Sequence, residues 1–146
     1  MVFLLKRACL YGFCYNVVMK IGNGRGMGML KKYLMVGIGG ALGSLLRFGI
    51  NVFVQIPVFP LATLSVNLIG TFTLGVLTGY FSKKNRPVPL LLGTGLCGGF
   101  TTMSTFTAES VRLLETSVWL SSFYISTTLI LGIIFGLFGI SIYLKG

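Results

Sequence analysis

Histidine is absent from this chain of 146 residues, and only two acidic residues, Glu109 and Glu115, occur in it. Without an imidazole or a nearby pair of carboxylates there is no ordinary general acid–base couple. No phosphate-binding glycine loop of the P-loop kind is present either, so the chain is not expected to be an enzyme. Cysteine is scarce as well. Cys9 and Cys14 lack metal-ligand spacing and Cys97 stands apart, which leaves neither a zinc site nor a disulfide framework. Charged residues make up only 10%, whereas 54% are hydrophobic and the mean hydropathy is +0.91. This is the composition of a single small membrane domain. The net charge of +10 does not indicate nucleic acid, because the basic residues form short clusters between apolar runs and no basic face interleaved with aromatics. They read as signals of membrane orientation.

Four apolar segments, 33–54, 61–81, 90–114 and 118–144, each approach the roughly 20 residues that a helix needs to cross the hydrocarbon core. A turn at 55–60, a basic loop at 82–87 and a short link at 115–117 join them, so neighbouring helices are expected to be antiparallel. Residues 1–28 form no clean span, because Lys6 and Arg7 interrupt the apolar stretches. They lack the order of a signal peptide, and the glycine-rich 21–28 reads as linker. The expectation is an N-terminal extension over 1–28, arising from a start placed upstream of Met29 or Met27, ahead of a membrane domain over 29–146.

Glycines four apart at Gly39/Gly43, Gly75/Gly79 and Gly132/Gly136 predict close helix packing, and a compact bundle with a second subunit. In a four-span arrangement one side holds Lys31, Lys32, Lys83, Lys84, Arg86 and Lys145, and the other Arg112 alone. That bias predicts both termini in the cytoplasm and a single orientation.

The segment 95–109, Gly95-Leu-Cys-Gly-Gly-Phe-Thr-Thr-Met-Ser-Thr-Phe-Thr-Ala-Glu109, interrupts the third apolar run. Backbone that leaves helical geometry at membrane depth must be buried in protein or line a watery path. A break near 98–102 frees carbonyls suited to a hard cation such as Na⁺, while the hydroxyls of Thr102, Ser104 and Thr105 offer donors to an anion. Phe106 adds an aromatic edge, and Phe100 reads as packing. In the second segment Thr63, Asn67 and Thr71 share one helical face. Asn67 is the informative member, since an amide at mid-membrane needs a partner. Tyr124 and Thr128, with Ser121 one turn earlier, extend a polar track on the fourth.

Three blocks resemble the CrcB/Fluc family of fluoride channels: Gly39-Gly-Ala-Leu-Gly-Ser-Leu-Leu-Arg-Phe48, Leu64-Ser-Val-Asn-Leu-Ile-Gly-Thr-Phe-Thr-Leu-Gly75 and the 95–109 segment. They occur in family order, and the likeness runs from about Met29 to the end. The resemblance implies an all-α membrane protein with four transmembrane helices, a broken third helix and assembly as an antiparallel dimer. It implies a structural Na⁺ on the carbonyls of Gly98 and Thr101, and a fluoride path past Thr63, Asn67 and Phe106, to which the polar pattern adds Ser104, Thr105, Tyr124 and Thr128. Arg47 and Glu109 match further family positions, the role of Arg47 staying open between pore entrance and snorkelling anchor. The family places two phenylalanines three apart along the path. Here the first is Met103, whose flexible thioether does not reproduce a ring edge.

The resemblance therefore implies passive fluoride export through the cell membrane, giving fluoride resistance. Met103 and the one-sided charge point further, to a heterodimer with an oppositely oriented paralogue in preference to a homodimer. The competing reading is a small proton-coupled multidrug-type exporter. It needs a titratable carboxylate near the membrane centre, and Glu109 lies toward the end of its segment.

Overall fold

The computed structural model describes residues 28–54 and 59–144, and among these every regular element is helical. Helix α1 spans Met29–Phe53 and α2 spans Leu61–Lys83. A π-helix over Leu91–Cys97 continues into a single turn, α3 (Gly98–Phe100). After two extended residues come α4 (Met103–Thr116) and α5 (Val118–Leu144). All of the expected 1–28 extension but Gly28, and most of the expected 55–60 turn, at 55–58, lie outside the described residues; so does Lys145. Among the described residues three helices, α1, α2 and α5, are long and apolar enough to cross a membrane. The expected third segment is no single helix.

Local chemistry accounts for the boundaries. α1 begins four residues before the expected 33, because Leu30, Lys31 and Lys32 are good helix formers and Gly28 O accepts from Lys31 N at 3.1 Å. α2 ends where Asn85 turns left-handed at φ 50°, a conformation asparagine tolerates better than most residues. Pro87 and Pro89 then delay the next helix until Leu91, since proline has no N–H to give and restricts the residue before it. That helix is wide: Gly95 N donates to Leu90 O, five residues back, at 2.8 Å. The chain leaves helical geometry at Thr101 (ψ 156°) and Thr102 (φ −142°, ψ 118°). The break is thus narrower than the expected 98–102, for Gly98 itself is helical at φ −65°, ψ −37°. Ser117 alone separates α4 from α5.

Glycine decides the packing. Gly39 and Gly43 bring α1 onto the backbone of the π-helix and α3; a Cβ on Gly95 would lie 2.9 Å from the Gly39 Cα. α2 and α5 run side by side in the same direction, with Phe59 against Tyr124 at one end and Tyr80 against Tyr143 at the other. Between these ends Gly75 meets Gly136 and Gly139, and a Cβ on Gly139 would stand 2.6 Å from Phe72 O. Backbones this close gain dispersion contacts that bulkier residues would forbid. Of the expected Gly132/Gly136 pair, only Gly136 packs within the chain. Gly132 faces open space, and Gly136 works with Gly139.

Against α2 the chain from 93 to 109 runs antiparallel: Leu74 lies near Gly93, Gly70 against Thr101, Asn67 at Thr102 and Thr63 at Glu109. One end of the bundle therefore gathers the start of α1 and the ends of α2 and α5, with Lys31, Lys32, Lys83, Lys84 and Arg86. The opposite end carries Arg112.

Candidate functional site

The polar groups of α2, α4 and α5 converge on one side of α2. Spacing explains the selection, since Thr63, Asn67 and Thr71 recur each near-complete turn and face the interrupted segment together.

Asn67 meets the break at its peptide. The Thr102 N–H donates to Asn67 Oδ1 at 2.8 Å, and Asn67 Nδ2 donates to the Thr102 carbonyl at 3.2 Å. This pairing fixes the amide orientation, because only the oxygen can face an N–H and only the nitrogen a carbonyl. A second Nδ2 proton remains. Asn67 also borders both clefts of the site. One, of about 290 Å³, is lined by Thr101, Thr102, Gly98 and Met103 among others. The other, of about 510 Å³, runs along α2 and α5 past Thr71 and Thr128. Thr71 returns its hydroxyl proton to Asn67 O at 2.7 Å, within its own helix.

Thr102 caps α4. Its Oγ1 accepts from Thr105 N at 3.2 Å, and lies 2.9 Å from Thr105 Oγ1 and 3.3 Å from Ser104 Oγ. Three hydroxyls, of Thr102, Ser104 and Thr105, are thereby gathered within one turn. A threonine just before a helical run is a favoured N-cap. That signal was present in the sequence; Thr102 Oγ1 accepts at the cap and gives its own proton to Thr105 Oγ1, where the residue types suggested a donor to an anion.

Glu109 forms the second centre. Thr63 Oγ1 donates to one carboxylate oxygen at 2.9 Å and Tyr124 OH to the other at 3.0 Å. Thr63 and Tyr124 are 1% and 0% exposed. Tyr124 packs edge-on against Phe59, with ring centroids 5.4 Å apart, and tilted against the buried Phe106 at 5.3 Å. Leu64, Phe106 and Tyr124 make the apolar core of this end, which holds the phenol in place.

The remaining expected residues divide. Met103 is 72% exposed at the mouth of the smaller cleft. Gly98 is exposed and opens onto the same cleft, beside Thr101, whose hydroxyl donates to Cys97 O at 2.9 Å. Thr128 lines the larger cleft but gives its proton to Tyr124 O at 2.7 Å. Arg47, on α1, takes part in none of these hydrogen bonds. Ser110 and Ser121 were not foreseen as partners. Ser121 Oγ donates to Ser110 O at 2.8 Å, tying α5 to α4 beside Tyr124.

Among the described residues no three His, Cys, Asp or Glu gather as a metal-ligating cluster. The oxygens at the break are backbone carbonyls and the hydroxyls of Thr101 and Thr102, which give their protons to Cys97 O and Thr105 Oγ1.

Comparison with known proteins agrees with this geometry. The family described as "CrcB-like protein, Camphor Resistance (CrcB)" matches residues 34–140. The chain is 48% identical over 113 residues to "Fluoride-specific ion channel FluC 2" of Bacillus subtilis (strain 168), covering 76% of this chain and 86% of that protein. It is 44% identical over 115 residues to the protein of the same name in Bacillus licheniformis, covering 77% and 87%. A third relative, "Fluoride-specific ion channel FluC 1" of Carboxydothermus hydrogenoformans, is 40% identical over 106 residues, covering 70% and 85%. With the match spanning most of both partners and taking in the break, the polar face of α2 and the packed glycines, the chain belongs to the CrcB family.

Proposed function

We propose that this protein is a fluoride-selective channel that lets cytoplasmic fluoride leave the cell passively. The observation that carries the reading is the amide of Asn67 seated on the interrupted segment, between two clefts, in a chain 48% identical to a fluoride-specific channel. Fluoride is small and holds water tightly, so a selective pore must offer short, fixed hydrogen-bond donors, none of which binds too firmly. The second Nδ2 proton of Asn67 and the hydroxyls gathered around Thr102 are such donors, and Phe106 adds a ring edge. The hydroxyls of Thr63 and Tyr124 are committed to Glu109. Each has one proton to give, so fluoride reaches them only where that carboxylate turns aside.

In this reading the pieces 91–100 and 103–116 together form a fourth, broken span, and two subunits pack as an antiparallel dimer. The carbonyls of Gly98 and Thr101 hold a structural Na⁺. The fit is supported by the donor set, since neutral carbonyl oxygens of a helix break suit a hard monovalent cation. When bound, the ion supplies positive charge that holds the break in place. The chain's own residues contribute its position and the polar wall of the path. Met103 and the gathering of basic residues at one end favour pairing with a related subunit inserted the other way. The numerals 1 and 2 in the relatives' names agree with paired paralogues. The basic end lies in the cytoplasm, and the protein sits in the cell membrane.

The proton-coupled exporter has no support in these names. Glu109, the carboxylate that comes nearest to its requirement, is bonded on both oxygens to hydroxyls of neighbouring helices. Efflux from liposomes loaded with fluoride or chloride tests the proposal, with the protein reconstituted together with its paralogue. Rapid fluoride release without chloride release is expected. Equal release of both anions, or release driven only by a proton gradient, overturns it.

A further inference from the structure

We infer that Asn67 and Thr102 are positioning residues for the cation at the break, each diverting a backbone amide from a carbonyl that would hold the ion. The inference rests on the Na⁺ reading above and concerns what keeps those carbonyls available. In an unbroken α-helix the N–H of each residue bonds the carbonyl four positions back. Gly98 O would then receive Thr102 N–H, and Thr101 O would receive Thr105 N–H. Both amides go elsewhere. Thr102 N donates to Asn67 Oδ1 at 2.8 Å, and Thr105 N donates to Thr102 Oγ1 at 3.2 Å.

The two diversions are linked. Asn67 also donates to the Thr102 carbonyl at 3.2 Å, gripping the peptide of Thr102 on both sides, and Thr102 is held in extended geometry from which its side chain caps α4. Gly70 lets α2 press against Thr101, which brings Asn67 within reach of the break. One side chain of α2 thus sets the backbone that frees the first carbonyl, and the residue it grips frees the second. Asn67 borders the proposed fluoride path with its other N–H. Cation occupancy and the placement of a fluoride donor consequently depend on the same residue.

The test is the thermal midpoint of the assembled channel in detergent, titrated with NaCl against N-methylglucamine chloride at constant ionic strength. Wild type is expected to be stabilised by sodium. Asn67→Leu removes the acceptor for Thr102 N–H, and Thr102→Val removes the acceptor for Thr105 N–H. Each should raise the half-saturating sodium concentration at least about tenfold, or about 1.4 kcal/mol. Thr102→Ser keeps the acceptor oxygen and should respond within about threefold of wild type, or about 0.7 kcal/mol. Asn67→Asp keeps the acceptor for Thr102 N–H but loses the donor to the Thr102 carbonyl, and its half-saturating sodium concentration should fall between those of wild type and Asn67→Leu. Should Asn67→Leu fail to assemble, Asn67→Ser, too short to reach Thr102, replaces it. A wild type indifferent to sodium refutes the Na⁺ reading itself. A responsive wild type with Asn67→Leu and Thr102→Val unchanged refutes this inference alone, as does Asn67→Asp losing the response as fully as Asn67→Leu.

Discussion

Tyr124 donates its phenolic proton to Glu109 across 3.0 Å, from a ring with no exposed surface. The hydrogen bond and the ring contribute separately, and substitution separates them. Tyr124→Phe keeps the contacts with Phe59 and Phe106 and removes only the hydroxyl. Hydrogen bonds between helices in membranes average about 0.6 kcal/mol and reach about 1.7, so a loss of about 1 kcal/mol is expected. Tyr124→Leu also removes the ring from the core and should cost about 3 kcal/mol. Unfolding of the detergent-solubilised protein measures both. Equal losses would mean that the bond to Glu109, not the packing, fixes this residue.

Helix packing gives a sharper contrast. A Cβ at Gly75 would stand 2.5 Å from Gly136 O, and one at Gly139 2.6 Å from Phe72 O; one at Gly132 meets nothing within 4 Å. Gly75→Ala and Gly139→Ala must push α2 and α5 apart, at a cost of about 1–3 kcal/mol each. Gly132→Ala should be neutral or slightly stabilising, since alanine is the better helix former by about 1 kcal/mol. The check is thermal stability and monodispersity on size exclusion for the three variants side by side. A destabilised Gly132→Ala would show that this face is covered by a second subunit.

These glycines also show what the sequence could and could not disclose. The four-residue spacing marked Gly75 and Gly79 correctly, because close approach depends on small residues recurring on one face. It promoted Gly132 over Gly139, because spacing alone does not say which face meets a neighbour. The apolar runs located α1, α2 and α5 well, and α5 at both its ends, since burial in lipid is a one-dimensional signal. The break was legible from Gly95 to Glu109 as a region. The expected 98–102 contains Thr101 and Thr102, but its restriction to these two was not legible, because glycine permits helix as readily as turn, and the contact that holds Thr102 comes from Asn67, 35 positions earlier in the chain. Likewise the Thr63–Glu109–Tyr124 group unites three segments whose pairing no local pattern encodes.

Asn67→Asp distinguishes the anion path from the cation site. The carboxylate still accepts from Thr102 N–H, but it offers no proton to fluoride and repels it. Fluoride efflux from liposomes should fall at least about a hundredfold, about 2.7 kcal/mol on the barrier, while the protein stays assembled. Efflux at the wild-type rate would remove Asn67 from the path.

Met103, 72% exposed at the cleft mouth, has room for a larger side chain. If a ring edge is what the methionine fails to supply, this chain reconstituted alone should conduct poorly, and Met103→Phe should raise its fluoride efflux about tenfold or more, a gain of about 1.4 kcal/mol. Adding the paralogue should do the same for the unmodified chain. Full channel rates from the unmodified chain alone would end the case for a mixed dimer.

The proposed membrane orientation rests on the charge of the bundle's two ends. Lys83, Lys84 and Arg86 cluster where α2 ends, with Lys84 lying 4.3 Å over the Tyr80 ring, an arrangement suited to an interface rich in headgroups. At the other end Arg112 is basic, Arg47 lying within α1 and not being counted, and acidic residues such as Glu115 weigh little in such a comparison. In a background with the three native cysteines replaced by serine, Asn85→Cys and Thr116→Cys report the two faces. A membrane-impermeant maleimide should label Thr116→Cys on intact cells and Asn85→Cys only after lysis. The reverse pattern would place the basic end outside. Equal labelling of both sites on intact cells would mean that single chains insert both ways, and a paralogue of opposite orientation would no longer be needed to build an antiparallel pair.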